Sequence, residues 1–353
     1  MKLRKLAALA LASCMALSLA ACSKPAAETE AATEAATEAA TEAATEAASE
    51  AAEAATEAAG ATGEGVEVGV CIYKYDDNFM TLYREELQKY LEEKGCTVTV
   101  VDGKNDQATQ TEQVNTFIAN GVDVLIVNLV QSSAAPVVID AAKAADIPVV
   151  FINREPSADD LALWDKVCYV GADARQSGTF QGEIIAATEN KGDFNGNGVV
   201  DYVMIMGDPE NVDAQYRTEF SIKALEDAGL KTNKLFEQRG DWDQAKGQEL
   251  AATALAQFGD EIDVIFCNND GMALGAYQAI VDAGRVVGED IYLVGVDALE
   301  ECQAMVQEGT MTGTVLNDHI GQSHTAADVA LKAVAGETLE KNYVVDYVKV
   351  VKE

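Results

Sequence analysis

From residue 66 onward, short runs that are apolar on both faces alternate with amphipathic helical patterns, almost to the C-terminus. Residues 66–73, 97–101, 122–130, 147–153, 167–171, 200–206, 262–268 and 292–296 read as strands. Residues 79–94, 107–120, 133–145, 175–189, 214–228, 272–283 and 299–307 read as the helices between them. A strand without a polar face must be covered on both sides, and the helix after it returns the chain to the next parallel strand. The expected class is α/β. Residues 65–353 are more than one core usually holds, so two lobes with doubly wound parallel sheets are expected. Several strands end in polar residues: Asp76-Asp77-Asn78, Asn128, Asn268-Asn269-Asp270 and Asp297. Open α/β sheets bind ligands at those carboxyl ends.

The N-terminus sets an expected compartment. Lys2, Arg4 and Lys5 precede an apolar run over residues 6–21, too short for a stable membrane helix, so 1–21 reads as a signal peptide. The run ends Leu19-Ala20-Ala21-Cys22, which resembles the bacterial lipobox. That resemblance implies cleavage before Cys22, a lipid on its thiol and an extracytoplasmic location at the cell membrane. Residues 22–64 then repeat Ala, Thr and Glu with no large apolar side chain. Glutamates four apart repel on a helix, and nothing here can be buried, so the segment reads as an acidic tether. As a coil of about 40 residues it would reach roughly 35 Å.

Charge excludes some partners. The chain carries 59 acidic against 25 basic residues, which makes nucleic acid and anionic surfaces poor partners. Contact with the membrane is expected through the lipid alone. Cys71, Cys96, Cys168, Cys267 and Cys302 are odd in number, contain no CxxC pair and read as buried thiols. His319 and His324 are too few for most histidine metal sites and read as surface or packing residues.

The segment Tyr73-Lys74-Tyr75-Asp76-Asp77-Asn78-Phe79-Met80 resembles the opening strand and loop of periplasmic glucose/galactose-binding proteins. Similar segments follow in the family's order: Asn128-Leu129-Val130, the stretch from Val149 to Pro156, Tyr169 to Asp173, Asn268-Asn269-Asp270, Gly295 to Leu299, and Gly313 to Asp318. The resemblance covers the whole core and none of the tether. It implies the type I periplasmic binding protein fold, with two lobes joined by a multi-strand hinge. The expected lobes are 65–152 plus 318–345 and 153–317 plus 346–353, with crossings near 152–155, 317–318 and 345–347. It also implies a monomer that closes on a monosaccharide and presents it to the permease of an ABC importer.

A pyranose has two apolar faces and a rim of hydroxyls that both donate and accept. Flat aromatic rings suit the faces; carboxylates, amides and guanidinium groups suit the rim. By resemblance Phe79 and Trp242 are the aromatic plates, and Asp77, Asn128, Asp213, Arg217, Asn269, Asp297 and Asn317 the rim partners. Taken singly, an Asn or Asp at a strand end reads equally well as a turn or helix cap, and Phe79 as core. Asn211 stands where the family usually has histidine, which leaves galactose and glucose both open.

Residues 193–201 read D-x-N-x-N-G-x-x-D, the first nine positions of an EF-hand loop with glycine at the sixth. Asp193, Asn195, Asn197 and Asp201 offer side-chain oxygens and Val199 a carbonyl. Met204 takes the twelfth position, so the loop cannot close its own shell. The resembling family has the same incomplete loop and draws its last carboxylate from a remote strand, here Asp263 in place of the usual glutamate. Structural calcium is expected. Three other functions are open to such a chain. Paired aspartates could serve a glycosidase, but amides and an arginine mixed among them suit gripping hydroxyls. A repressor core shares the fold, but a signal peptide and acidic tether stand where its basic DNA-binding segment belongs. A sugar sensor for a chemoreceptor or kinase would read the same closed form as a permease.

Overall fold

The computed structural model describes residues 62–352. The signal peptide, Cys22 and nearly all of the tether lie outside the described residues, and no helix within them is long and apolar enough to cross a membrane. The first sheet orders its strands β2-β1-β3-β4-β5-β11, all parallel. They are β1 (Glu67–Ile72), β2 (Thr97–Asp102), β3 (Val124–Val127), β4 (Val149–Ile152), β5 (Val167–Gly171) and β11 (Asn342–Val344). The second sheet repeats the order as β7-β6-β8-β9-β10-β12. Its strands are β6 (Val200–Met206), β7 (Thr232–Arg239), β8 (Val264–Cys267), β9 (Tyr292–Val294), β10 (Gly313–Leu316) and β12 (Val348–Val351), the last antiparallel to β10.

Strand alternation shows why both faces need cover. In β1, Val68, Val70 and Ile72 join one buried cluster and Cys71 another. In β4, Val150 and Ile152 face the first cluster while Val149 and Phe151 face the second. Helices α1 (Asn78–Glu93) and α10 (His319–Val334) cover one side; α2 (Gln107–Asn120) and α3 (Ala135–Ala144) cover the other. Each large apolar side chain so buried contributes roughly 1.5–3 kcal/mol. Cys71, Cys96, Cys168, Cys267 and Cys302 are free and buried.

One expected boundary is corrected. The first crossing does not fall at 152–155, and residues 153–171 belong with the first lobe. After β4 the chain makes a short helix, α4 (Ala158–Leu161), and returns as β5 beside β4, with Val149 opposite Val167 and Ile152 opposite Val170. The polar break at Asn153-Arg154-Glu155-Pro156 is a turn facing the cleft, where Asn153 adopts φ 61°, and the crossing follows Gly171. The chain then enters α5 (Ala174–Ala186) of the second lobe. It returns between β10 and α10 and crosses again between β11 and β12. Two bonds brace these connections: Val345 N–H donates to the Gly171 carbonyl (2.9 Å) and Tyr347 N–H to Gln176 Oε1 (2.7 Å).

Candidate functional site in the cleft

The strand order reverses at β1/β3 in one sheet and at β6/β8 in the other, and the carboxyl ends of both sheets face one cavity. It holds about 340 Å³, part of it open to solvent. The first lobe contributes Tyr73, Asp77, Phe79, Met80, Asn153 and Arg154. The second contributes Asn211, Asp213, Arg217, Trp242, Asn269 and Asp297, with Asn317 from the crossing after β10.

Capping fixes much of this wall. Asp77 Oδ1 accepts the Met80 N–H at 2.7 Å at the start of α1, and its other oxygen accepts the Tyr73 hydroxyl at 2.6 Å. Asn211 caps α6 (Val212–Asp227), and Asn269 caps α8 (Asp270–Asp282). The capping and ligand-facing readings of these strand-end residues therefore hold together. Capping also accounts for asparagine at 211, since asparagine is among the preferred caps. Phe79 likewise packs against Tyr83, with ring centroids 6.0 Å apart, while lining the cavity.

Arg217 is the electrostatic centre. It is buried on α6, whose backbone comes so close to α5 that a Cβ on Gly182 would lie 2.2 Å from the Ser221 carbonyl oxygen. Its guanidinium donates to the Asn268 carbonyl (2.8 Å) and the Tyr347 hydroxyl (3.0 Å), and lies 3.9 Å from Asp213. Burial opposes its charge, but Tyr347, Asp297 and Asp213 more than offset that, so its proton is held more tightly than usual. Burial pushes Asp213 up to about 6 despite Arg217, and raises Asp297 well above the ordinary carboxylate range.

Trp242 stands on a strained loop. Asp241 and Trp242 both adopt positive φ, 53° and 64°, held by Arg239 and Lys246, which both pair with Asp241. Its indole lies directly on Gly207, where a Cβ would be 2.3 Å from two ring carbons. Asp297 is strained too, at φ 125°. Such backbone is uncommon for residues with side chains and concentrates at ligand clamps.

A scan of protein families matches residues 68–338 to the periplasmic binding protein domain. The chain belongs to that family. The D-galactose/methyl-galactoside binding periplasmic protein MglB of Haemophilus influenzae is 37% identical over 276 residues, 77% of this chain and 82% of that one. The ribose import binding protein RbsB of Salmonella typhimurium is 27% identical, covering 81% and 90%. Among solved structures, an ABC transporter solute binding protein of Bacillus halodurans with bound myo-inositol superposes with TM-score 0.72 at 27% identity, over 82% of this chain and 95% of that one. The lobes are those of the type I periplasmic binding protein fold, and the family is one of binding proteins, which sets the glycosidase reading aside.

Asn128 departs from its expected place. It does not line the cavity: it is fully buried behind it. Its oxygen accepts the Tyr73 N–H (3.2 Å), and its amide nitrogen donates to the Ile152 carbonyl (3.2 Å) and Asn153 Oδ1 (3.1 Å). It spaces β1 from β4, and Asn153 faces the cavity instead. Tyr73, Met80, Asn153 and Arg154 were not among the expected site residues. Tyr73, Asn153 and Arg154 follow strands β1 and β4 at their carboxyl ends, which is the signal that could have found them.

The loop at 193–201 keeps the turns of a cation loop. Gly196 and Gly198 N–H groups bind the Asp193 carboxylate (2.7 and 2.9 Å), while Asn195 and Asn197 oxygens accept N–H groups two residues on (3.0 and 2.8 Å). Asp263 joins it from just before β8, accepting N–H from Phe194 (2.9 Å), Asn195 (3.2 Å) and Asp201 (2.9 Å). The Asn195 amide nitrogen reaches both Asp201 (3.2 Å) and Asp263 (3.5 Å). Burial, reinforced by Asp201, raises the Asp263 carboxyl although those N–H groups oppose it. Among the described residues no three His, Cys, Asp or Glu side chains cluster closely enough to hold a metal by themselves, so a cation here depends on the amides and the Val199 carbonyl as well. An all-oxygen set with two carboxylates brought together fits calcium chemically.

Proposed function

We propose that this chain is a sugar-binding component of an ABC importer. It takes a hexose, D-galactose or D-glucose, between Phe79 and Trp242 and presents the closed form to the permease. The observation that carries this reading is a set of orphaned donors. Among the described residues, three of the six buried side-chain polar atoms without partners belong to cavity-lining residues: Arg154 Nε, Arg217 Nε and Trp242 Nε1. All three are donors, and a buried donor without an acceptor costs about 1–3 kcal/mol. A ligand rich in hydroxyls supplies the missing acceptors, and its own O–H groups meet Asp77, Asp213 and Asp297. A rigid aromatic ring in each lobe suits the apolar faces of a pyranose. The similarity to the Haemophilus influenzae protein, higher than that to the ribose-binding relative, supports galactose over ribose.

The remaining assignments belong to the same proposal. The protein acts as a monomer, anchored outside the cell by a lipid on Cys22. The loop of Asp193, Asn195, Asn197, Val199 and Asp201, with Asp263, holds a structural calcium ion. Calorimetry against free monosaccharides, with and without calcium, tests the reading. Submicromolar to micromolar binding of galactose or glucose supports it; silence toward every hexose together with binding of a charged solute overturns it. Uptake of labelled hexose by a strain lacking the protein separates import from sensing.

A further inference from the structure

Arg154 and Asp208 come from opposite lobes and meet across the cleft. Arg154 follows β4 in the first lobe; Asp208 follows β6 in the second. Within its own lobe the guanidinium is fixed: Nη1 donates to the Val130 carbonyl, and the group lies 4.0 Å from the Tyr73 ring centroid. Asp208 is fixed in its lobe as well. Its Oδ1 accepts the Glu210 N–H (3.1 Å) and pairs with Arg239 (3.3 Å). That leaves Oδ2, which stands 3.7 Å from Arg154 Nη1. Arg154 is 2% exposed and carries no other ion pair among the described residues. The lobes also approach at Asn78, whose amide nitrogen lies 3.4 Å from where a Cβ on Gly271 would stand.

We infer that Arg154 and Asp208 form an interlobe latch that sets how long the closed form lasts. The inference rests on the binding reading above only in taking the cavity as the ligand's place. Each half is held ready by its own lobe, so closure orders little. Only closure joins the two charges away from water. Such a pair contributes little net affinity over two solvated charges, but deleting one partner leaves the other charged and buried, which is costly. Arg154 also lines the cavity, so one side chain touches both the ligand space and the closing contact. Encounter takes place on the open form, where the pair is absent. Its loss therefore speeds release and leaves capture alone.

The test uses Asp208→Asn, since Asp208 is not among the cavity-lining residues. Stopped-flow tryptophan fluorescence with the monosaccharide selected by calorimetry should show release at least about tenfold faster, with capture within about twofold. Lys234→Met, which breaks only the Lys234–Glu237 pair (3.0 Å) on β7 of the second lobe, should change release by less than about threefold. Unchanged release in Asp208→Asn, with wild-type melting, overturns the latch. If the wild type binds no monosaccharide, the sugar reading fails, and the latch is then read without ligand. Single-molecule energy transfer between dyes on the two lobes should show a closed fraction at least about threefold lower in Asp208→Asn; equal fractions overturn it.

Discussion

The cleft and the loop at 193–201 are built from the same residue types, aspartate and asparagine at the ends of strands and in turns, yet they are short of opposite things. In the cleft the partnerless atoms are donors, on Arg154, Arg217 and Trp242. In the loop no buried side-chain polar atom is without a partner, but Asp201 and Asp263 crowd together with amide N–H groups between them. The cleft lacks acceptors and the loop lacks positive charge. A neutral polyol answers the first and a hard cation the second. Counting Asp and Asn in a sequence cannot separate these cases; asking which polar atoms remain unmet does.

The sharpest break in that comparison comes at Arg217. Arg217→Met removes donors from the cavity and takes away the guanidinium charge that offsets the burial of Asp213 and Asp297. Hexose affinity should fall by more than about 100-fold, because hydrogen bonds to charged groups contribute about 1.5–3 kcal/mol each. Calorimetry measures it, with melting as the control for folding, and a loss below threefold would refute the cleft assignment. Next is the indole. Trp242→Ala should cost more than about tenfold in affinity. Gly207→Ala should cost a similar amount by displacing the same ring, since its Cβ would overlap the indole. If Gly207→Ala binds normally, the ring does not need its present seat.

A pH series separates the regions further. Asp213 has its folded-state value raised to about 6 by burial, so below that pH the empty cavity takes up a proton there. Sugar hydroxyls donate to the charged form, so binding releases that proton and affinity falls as the pH drops. Between pH 7 and pH 5 the loss should reach about tenfold. Asp213→Asn should flatten the curve. The sign for stability is the reverse: a raised carboxyl contributes stability in full below its unfolded value, and that contribution is lost as pH rises through about 6. Acidification should thus weaken binding while relieving Asp213 in the empty protein.

Much of this was legible in the residues. Runs such as 124–127 and 264–267, buried on both faces, announce parallel strands, and the loop's D-x-N-x-N-G spacing announces its turns. Residues 153–156 misled because a polar turn ending a strand looks the same whether the chain leaves the lobe or bends into the cleft. Only the pairing of β5 with β4 decides it. Asn128 misled for a related reason. An amide at a strand end can face a ligand or tie two strands together, and its sequence neighbours are the same either way. The Arg154–Asp208 contact joins residues 54 positions apart on different sheets, beyond the reach of any local pattern.

The loop offers the smallest expected effect and the cleanest contrast. If calcium neutralises Asp201 and Asp263, chelation should lower the melting temperature and leave hexose affinity within about twofold, because the loop lies outside the cavity lining. At free calcium about five times Kd the gain is about 1 kcal/mol, or about 2–4 °C for a domain of this size. Asp263 is one methylene shorter than glutamate and already accepts three N–H groups, which favours a small effect. Asp263→Asn keeps one acceptor oxygen for those groups but removes a charge, so it should abolish the response to chelator even if it also lowers melting by itself. Identical wild-type melting with calcium and with chelator would mean that the hydrogen bonds alone hold the loop. The two Asn- and Asp-rich regions would then differ in a simpler way, one awaiting a ligand and the other complete.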